Sequence, residues 1–77
     1  MAYDYSKLLG KIKECGYTQE SLAQVIKMSE STLNLKLNNK ASFKQSEIKK
    51  ICKVLAISGD EIGIYFFTEK KFRKTKQ

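Results

Sequence analysis

Five times in 77 residues an apolar side chain precedes a helix-start position, and a second apolar side chain follows four places after that position. The sets are Tyr3-Asp4 with Leu8, Tyr17-Thr18 with Leu22, Met28-Ser29 with Leu33, Phe43-Lys44 with Ile48, and Ile57-Ser58 with Ile62. This spacing is the hydrophobic staple, in which the residue before the N-cap packs on the fourth residue of the helix. Asp, Thr and Ser supply capping acceptors at four of the starts, and only Lys44 does not. Proline is absent and apolar residues recur at spacings of three and four, so the chain is expected to be all-α with five helices.

The first helix runs from about Tyr5 to Cys15, stops at Gly16 and buries Leu8, Leu9 and Ile12. The fourth runs from about Gln45 to Leu55 and buries Ile48, Ile51, Cys52 and Leu55. The fifth begins at Ser58, where Glu61 completes a capping box. Residues 62–67, IGIYFF, read equally as the end of helix 5, a strand, or a segment under the core. The expected division is a domain over residues 1–67 and a flexible basic tail over 68–77, with five bases among residues 70–76.

Fifteen Lys and Arg against eight Asp and Glu give a net charge of +7, which suits a polyanionic partner. Residues 41–77 hold nine of the bases and four of the acids, so the excess lies toward the C-terminal end. An enzyme is not expected: there is no histidine, no acid pair at catalytic spacing, no phosphate-binding glycine loop and no nucleophile with a base. Cys15 and Cys52 lack metal-ligand spacing and read as two reduced core thiols, which points to the cytosol. No metal, cofactor, small-molecule ligand or membrane span is expected.

Helices 2 and 3 are separated only by Ile26, Lys27 and Met28, the layout of a helix-turn-helix. At 100° per residue, Leu33 and Leu37 lie about 40° apart on helix 3, with Ser31, Asn34, Leu35 and Asn38 on the opposite side. Ser and Asn can exchange hydrogen bonds with base edges, and Leu35 can meet a thymine methyl. Helix N-termini bind phosphate through free N–H groups, which nominates Thr18, Gln19 and Ser29. Asn39, Lys40 and Lys44 stand where a DNA strand would pass.

The stretch TQESLAQVIKMSESTLNLKLNNK (18–40), with SEIKKICKVLAIS and EIGIYFF after it, resembles the small phage Cro/repressor-type (XRE-like) helix-turn-helix proteins over roughly residues 5–67. Gln19, Ala23 and Leu33 carry the likeness, Ala23 being small where the two helices cross. The resemblance implies a five-helix lambda-repressor-like DNA-binding domain. It implies operator binding to double-stranded DNA, as a weak homodimer or a dimer formed on an inverted repeat, and repression in a phage lysis–lysogeny switch in a bacterial host, near the nucleoid. By the same resemblance Gln19 and Lys40 contact phosphate, and Glu30, Ser31 and Leu35 face bases. Two residues depart from the pattern. Lys27 replaces the turn glycine, which places a side chain in the left-handed region at a cost of about 1 kcal/mol. Lys36 replaces an apolar residue whose core role passes to Leu37.

The rival reading is a protein-interaction module of the same fold, of antitoxin or antirepressor type, which predicts an exposed apolar face such as IYFF. That segment, Ile64 to Phe67, is also the expected dimer surface. A membrane-surface or RNA-binding role has less support, because the tail is short and the aromatic residues fit staples.

Overall fold

The computed structural model describes residues 3–69. Helices α1 (Ser6–Glu14), α2 (Gln19–Val25), α3 (Glu30–Leu37), α4 (Gln45–Leu55) and α5 (Ile62–Phe66) follow in order, with a 3₁₀ turn at Gly59–Glu61 leading into α5. The chain is all-α with five helices. Among the described residues the only β-pairing is an isolated antiparallel bridge between Tyr3 and Glu69. None of the helices is long and apolar enough to cross a membrane, and no cluster of His, Cys, Asp and Glu could hold a metal, among the described residues.

The staples build the core. Leu8, Leu22, Leu33 and Ile48 are buried, and Ile62 packs against the core they form. Tyr3, Tyr17, Met28 and Phe43 lie on that core from outside, and Ile57 is inside it. Tyr5, Phe43 and Phe66 then meet edge to face, with centroids 5.5 Å and 5.4 Å apart, which joins α1, the α3–α4 loop and α5. Thr18 caps α2 reciprocally: its Oγ1 accepts the Ser21 N–H at 3.0 Å, and Ser21 Oγ accepts the Thr18 N–H at 2.9 Å. Ser29 Oγ accepts the Thr32 N–H at 3.1 Å and caps α3.

The helix ends share one geometry. After α1, the Gly16 and Tyr17 N–H groups donate back to the Lys13 and Ile12 carbonyls, with Gly16 at φ 84°. After α2, Lys27 and Met28 donate to Gln24 and Ala23; after α3, Asn39 and Lys40 donate to Lys36 and Leu35. These are Schellman closures, and α4 ends similarly with the Ile57 N–H on the Cys52 carbonyl. Lys27, Asn39 and Ala56 occupy the left-handed position at φ 60°, 64° and 57°. The expected left-handed Lys27 is therefore present, and two further non-glycine residues share its strain.

Three expectations are corrected. Leu9 is 43 % exposed, because α1 meets the core along Tyr5, Leu8 and Ile12 and turns Leu9 past the edge of that stripe. Cys15 is exposed at the end of α1, with its thiol 3.8 Å from the Leu55 carbonyl, and only Cys52 is a core thiol. Lys36 is itself buried, beside rather than replaced by Leu37. Of the three readings open for residues 62–67, the structure takes the helix, over Ile62–Phe66. The Asp4 N–H donates to the Thr68 carbonyl at 2.7 Å. Residues 70–77 of the expected basic tail lie outside the described residues.

Candidate functional site

The short α2–α3 connection seats α3 against the core through Leu33 and Leu37 and leaves Glu30, Ser31, Asn34, Leu35 and Asn38 exposed. Glu30, Ser31, Asn34 and Leu35 line an open cleft of about 470 Å³ with Gln19, which is half-buried at the start of α2. The residues expected on one face of the third helix are thus together, and the first turn of α2 forms the opposite wall. Leu35 is 45 % exposed, a sizeable apolar contact area in a polar frame.

The polar groups on this face are partly engaged already. Asn38 Nδ2 donates to the Asn34 carbonyl at 2.9 Å and to Asn34 Oδ1 at 3.1 Å, so the two amides form a joined rim. Along the exposed positions of α3 there is one acid, Glu30, and no cation, since the only lysine of the helix, Lys36, points inward. A helix entering the DNA groove meets dense negative charge, which an acid repels unless it accepts from a cytosine amino group.

The residues expected on phosphates are scattered in their duties. Lys40 and Lys44 are exposed on the loop between α3 and α4. The Thr18 and Ser29 hydroxyls are occupied as helix caps. The Asn39 side-chain amide pairs with the Tyr3 backbone. Nδ2 donates to the Tyr3 carbonyl and Oδ1 accepts the Tyr3 N–H, both at 2.9 Å. Clefts of about 340 Å³ and 250 Å³ flank this pair, and both are lined by Tyr3, Tyr5 and Asn39.

Behind α3 lies a contact that sequence reading missed. Lys36 Nζ donates to Glu47 Oε1 at 2.5 Å, with the two side chains 7 % and 19 % exposed. The same oxygen accepts the Lys44 N–H at 2.8 Å, the half of a capping box that the N3 residue supplies at the start of α4. Burial pushes the Glu47 carboxyl up, but the Lys36 hydrogen bond, the Lys44 N–H and the charges of both lysines outweigh it and hold the carboxyl below its ordinary range. The available signal was a lysine in an apolar slot of α3 and a glutamate three residues after a non-capping lysine.

A family model described as protein of unknown function (DUF739) matches residues 1–69. No curated protein sequence matches the chain. Among solved structures, the solution structure of the modulator of repression (MOR) of the temperate bacteriophage TP901-1 from Lactococcus lactis is 46 % identical, with a TM-score of 0.76, over 94 % of this chain and 97 % of that one.

Proposed function

The chain belongs to the family of unknown function DUF739, and from that premise we propose that it is a phage regulatory protein that modulates repression by binding a protein partner through the exposed face of α3. The observation that carries this reading is the 46 % identity, over nearly the whole of both chains, to a protein named as a modulator of repression. The α3 face supports the choice of a protein partner. Leu35 supplies an apolar anchor, the Asn34–Asn38 rim and Gln19 supply hydrogen-bonding groups, and Glu30 adds a negative charge without any cation nearby on the helix. The role is binding alone, with no reaction and no cofactor, and the place of action is the bacterial cytoplasm.

A second reading has its own support in the α2–α3 helix-turn-helix and the net charge of +7. In it the chain is a Cro-like repressor with Glu30, Ser31, Asn34, Leu35 and Asn38 toward base edges. The phosphate contacts are Gln19, Lys40, Lys44 and the α2 and α3 N-termini at Thr18 and Ser29, and a dimer forms through Ile64 and Phe67. Ile64 and Phe67 are 47 % and 51 % exposed, which leaves them available for such a contact.

Titration of the full chain against two probes separates the readings: the repressor of its own phage, and a random pool of DNA duplexes at two salt concentrations. Saturable binding to the repressor that weakens in Leu35→Ala supports the modulator. Enrichment of an inverted-repeat duplex that survives the higher salt, with no affinity for the repressor, replaces it by the Cro-like reading.

A further inference from the structure

We infer that the buried Lys36–Glu47 pair is a positioning device that sets the rotation of α3 about its own axis, and thereby holds the Asn34–Asn38 rim at the surface. The purpose of this device rests on the α3 reading above, but its test involves no partner.

The apolar side chains of α3 specify its rotation only loosely. Leu33 and Leu37 are the only buried leucines in this helix, while Leu35 is exposed, so the apolar residues alternate instead of forming a broad stripe. At 100° per residue, Leu37 lies about 40° to one side of Leu33 and Lys36 about 60° to the other. Two leucines alone would centre the buried arc between themselves. Burying Lys36 as well moves that centre by about 30° toward Lys36.

The displacement has a specific consequence for the outer face. Asn34 lies next to Leu37 around the helix, at the edge of the buried arc. With the arc centred on the two leucines, Asn34 lies about 80° from its middle, on the flank of the helix; with Lys36 drawn in it lies about 110° away, on the outer side, where it lines the cleft with Gln19 and Leu35. The far end of the device is rigid, because the Glu47 oxygen that holds Lys36 also holds the Lys44 N–H and so is fixed to the first turn of α4. A buried ion pair is weak as a source of stability, since desolvation offsets much of its attraction, and directional placement is a use for which it is suited.

The test uses the full chain, isotope-labelled, as Glu47→Gln and as the double variant Lys36→Ala with Glu47→Gln. The amide introduced by Glu47→Gln retains an oxygen for the Lys44 N–H while the charge partner of Lys36 is lost, and the double variant also removes the ammonium. Residual dipolar couplings of α3 amides report its orientation relative to α1 and α4, and a soluble paramagnetic probe reports exposure of the Asn34 side chain. The expected result is a folded domain whose α3 couplings no longer fit the wild-type orientation, with attenuation of the Asn34 amide reduced at least twofold. Wild-type couplings and Asn34 attenuation in either folded variant overturn the inference. Failure of both variants to fold also overturns it, because a contact needed for folding itself is more than a rotational guide.

Discussion

The side-chain amide of Asn39 pairs with the backbone of Tyr3 in both directions, 36 residues away in sequence, and so ties the residue that ends α3 to the start of the chain. On its other edge Tyr3 bridges to Glu69, which brings both ends of the described chain to the α3 C-terminus. Asn39 thus has two duties, the pairing and the left-handed turn at φ 64°. Asn39→Ala loses both, and is expected to cost about 2–4 kcal/mol, from two hydrogen bonds and the left-handed penalty. Asn39→Gly keeps the turn and is expected to cost about 1–2 kcal/mol. Urea denaturation of the two variants checks the ordering; equal losses would show that the turn contributes nothing.

Glu47 gives stability a defined acid dependence. Its carboxyl is held below its ordinary value of 4.5, so the folded state binds its proton less readily than the unfolded state. The stabilisation is complete above about pH 5 and is lost as pH falls through 4.5 toward the folded value. Urea midpoints recorded from pH 6 to pH 3 should fall less steeply in Glu47→Gln than in the parent. Parallel curves would show that Glu47 has no part in the acid dependence.

Two left-handed positions should respond to substitution with opposite sign. Gly16, at φ 84°, is expected to lose about 1 kcal/mol on replacement by alanine. Lys27, at φ 60°, is expected to gain up to about 1 kcal/mol on replacement by glycine, less the entropy glycine adds to the unfolded chain. Thermal melts of Gly16→Ala and Lys27→Gly give both signs in one experiment.

Leu33 and Leu35 are two residues apart on one helix with opposite roles. Leu33 is fully buried, so Leu33→Ala should cost about 2–5 kcal/mol through lost transfer energy and the cavity left behind. Leu35 is 45 % exposed, and Leu35→Ala should change stability by no more than about 0.5 kcal/mol while weakening partner binding. Chemical denaturation reads the first difference directly; a large stability loss in Leu35→Ala would place that side chain in the core.

The parts of this fold legible in sequence are those set by near neighbours. The two members of a staple lie five positions apart, so Tyr17 with Leu22 or Met28 with Leu33 announces its helix locally, and the two leucine faces of α3 follow from helical spacing. Leu9 and Cys15 show the limit of that signal. Periodicity suggests an apolar stripe, but the neighbouring elements decide how wide a stripe they cover. Lys36 and Asn39 were harder still, because their partners lie 11 and 36 residues away, and a polar side chain in isolation does not show whether it faces solvent or a distant acceptor. The candidate face was therefore readable from one helix, whereas the contacts that orient it required the tertiary structure.

Binding of a protein partner by the α3 face is tested most directly by an amide-resolved NMR titration of the labelled chain with the repressor of its own phage. Saturable shifts concentrated at Gln19, Glu30, Ser31, Asn34 and Leu35 are expected, together with their loss in Leu35→Ala. Absence of shifts with the repressor, together with salt-resistant shifts of those same residues on an inverted-repeat duplex, would contradict a protein partner at this face.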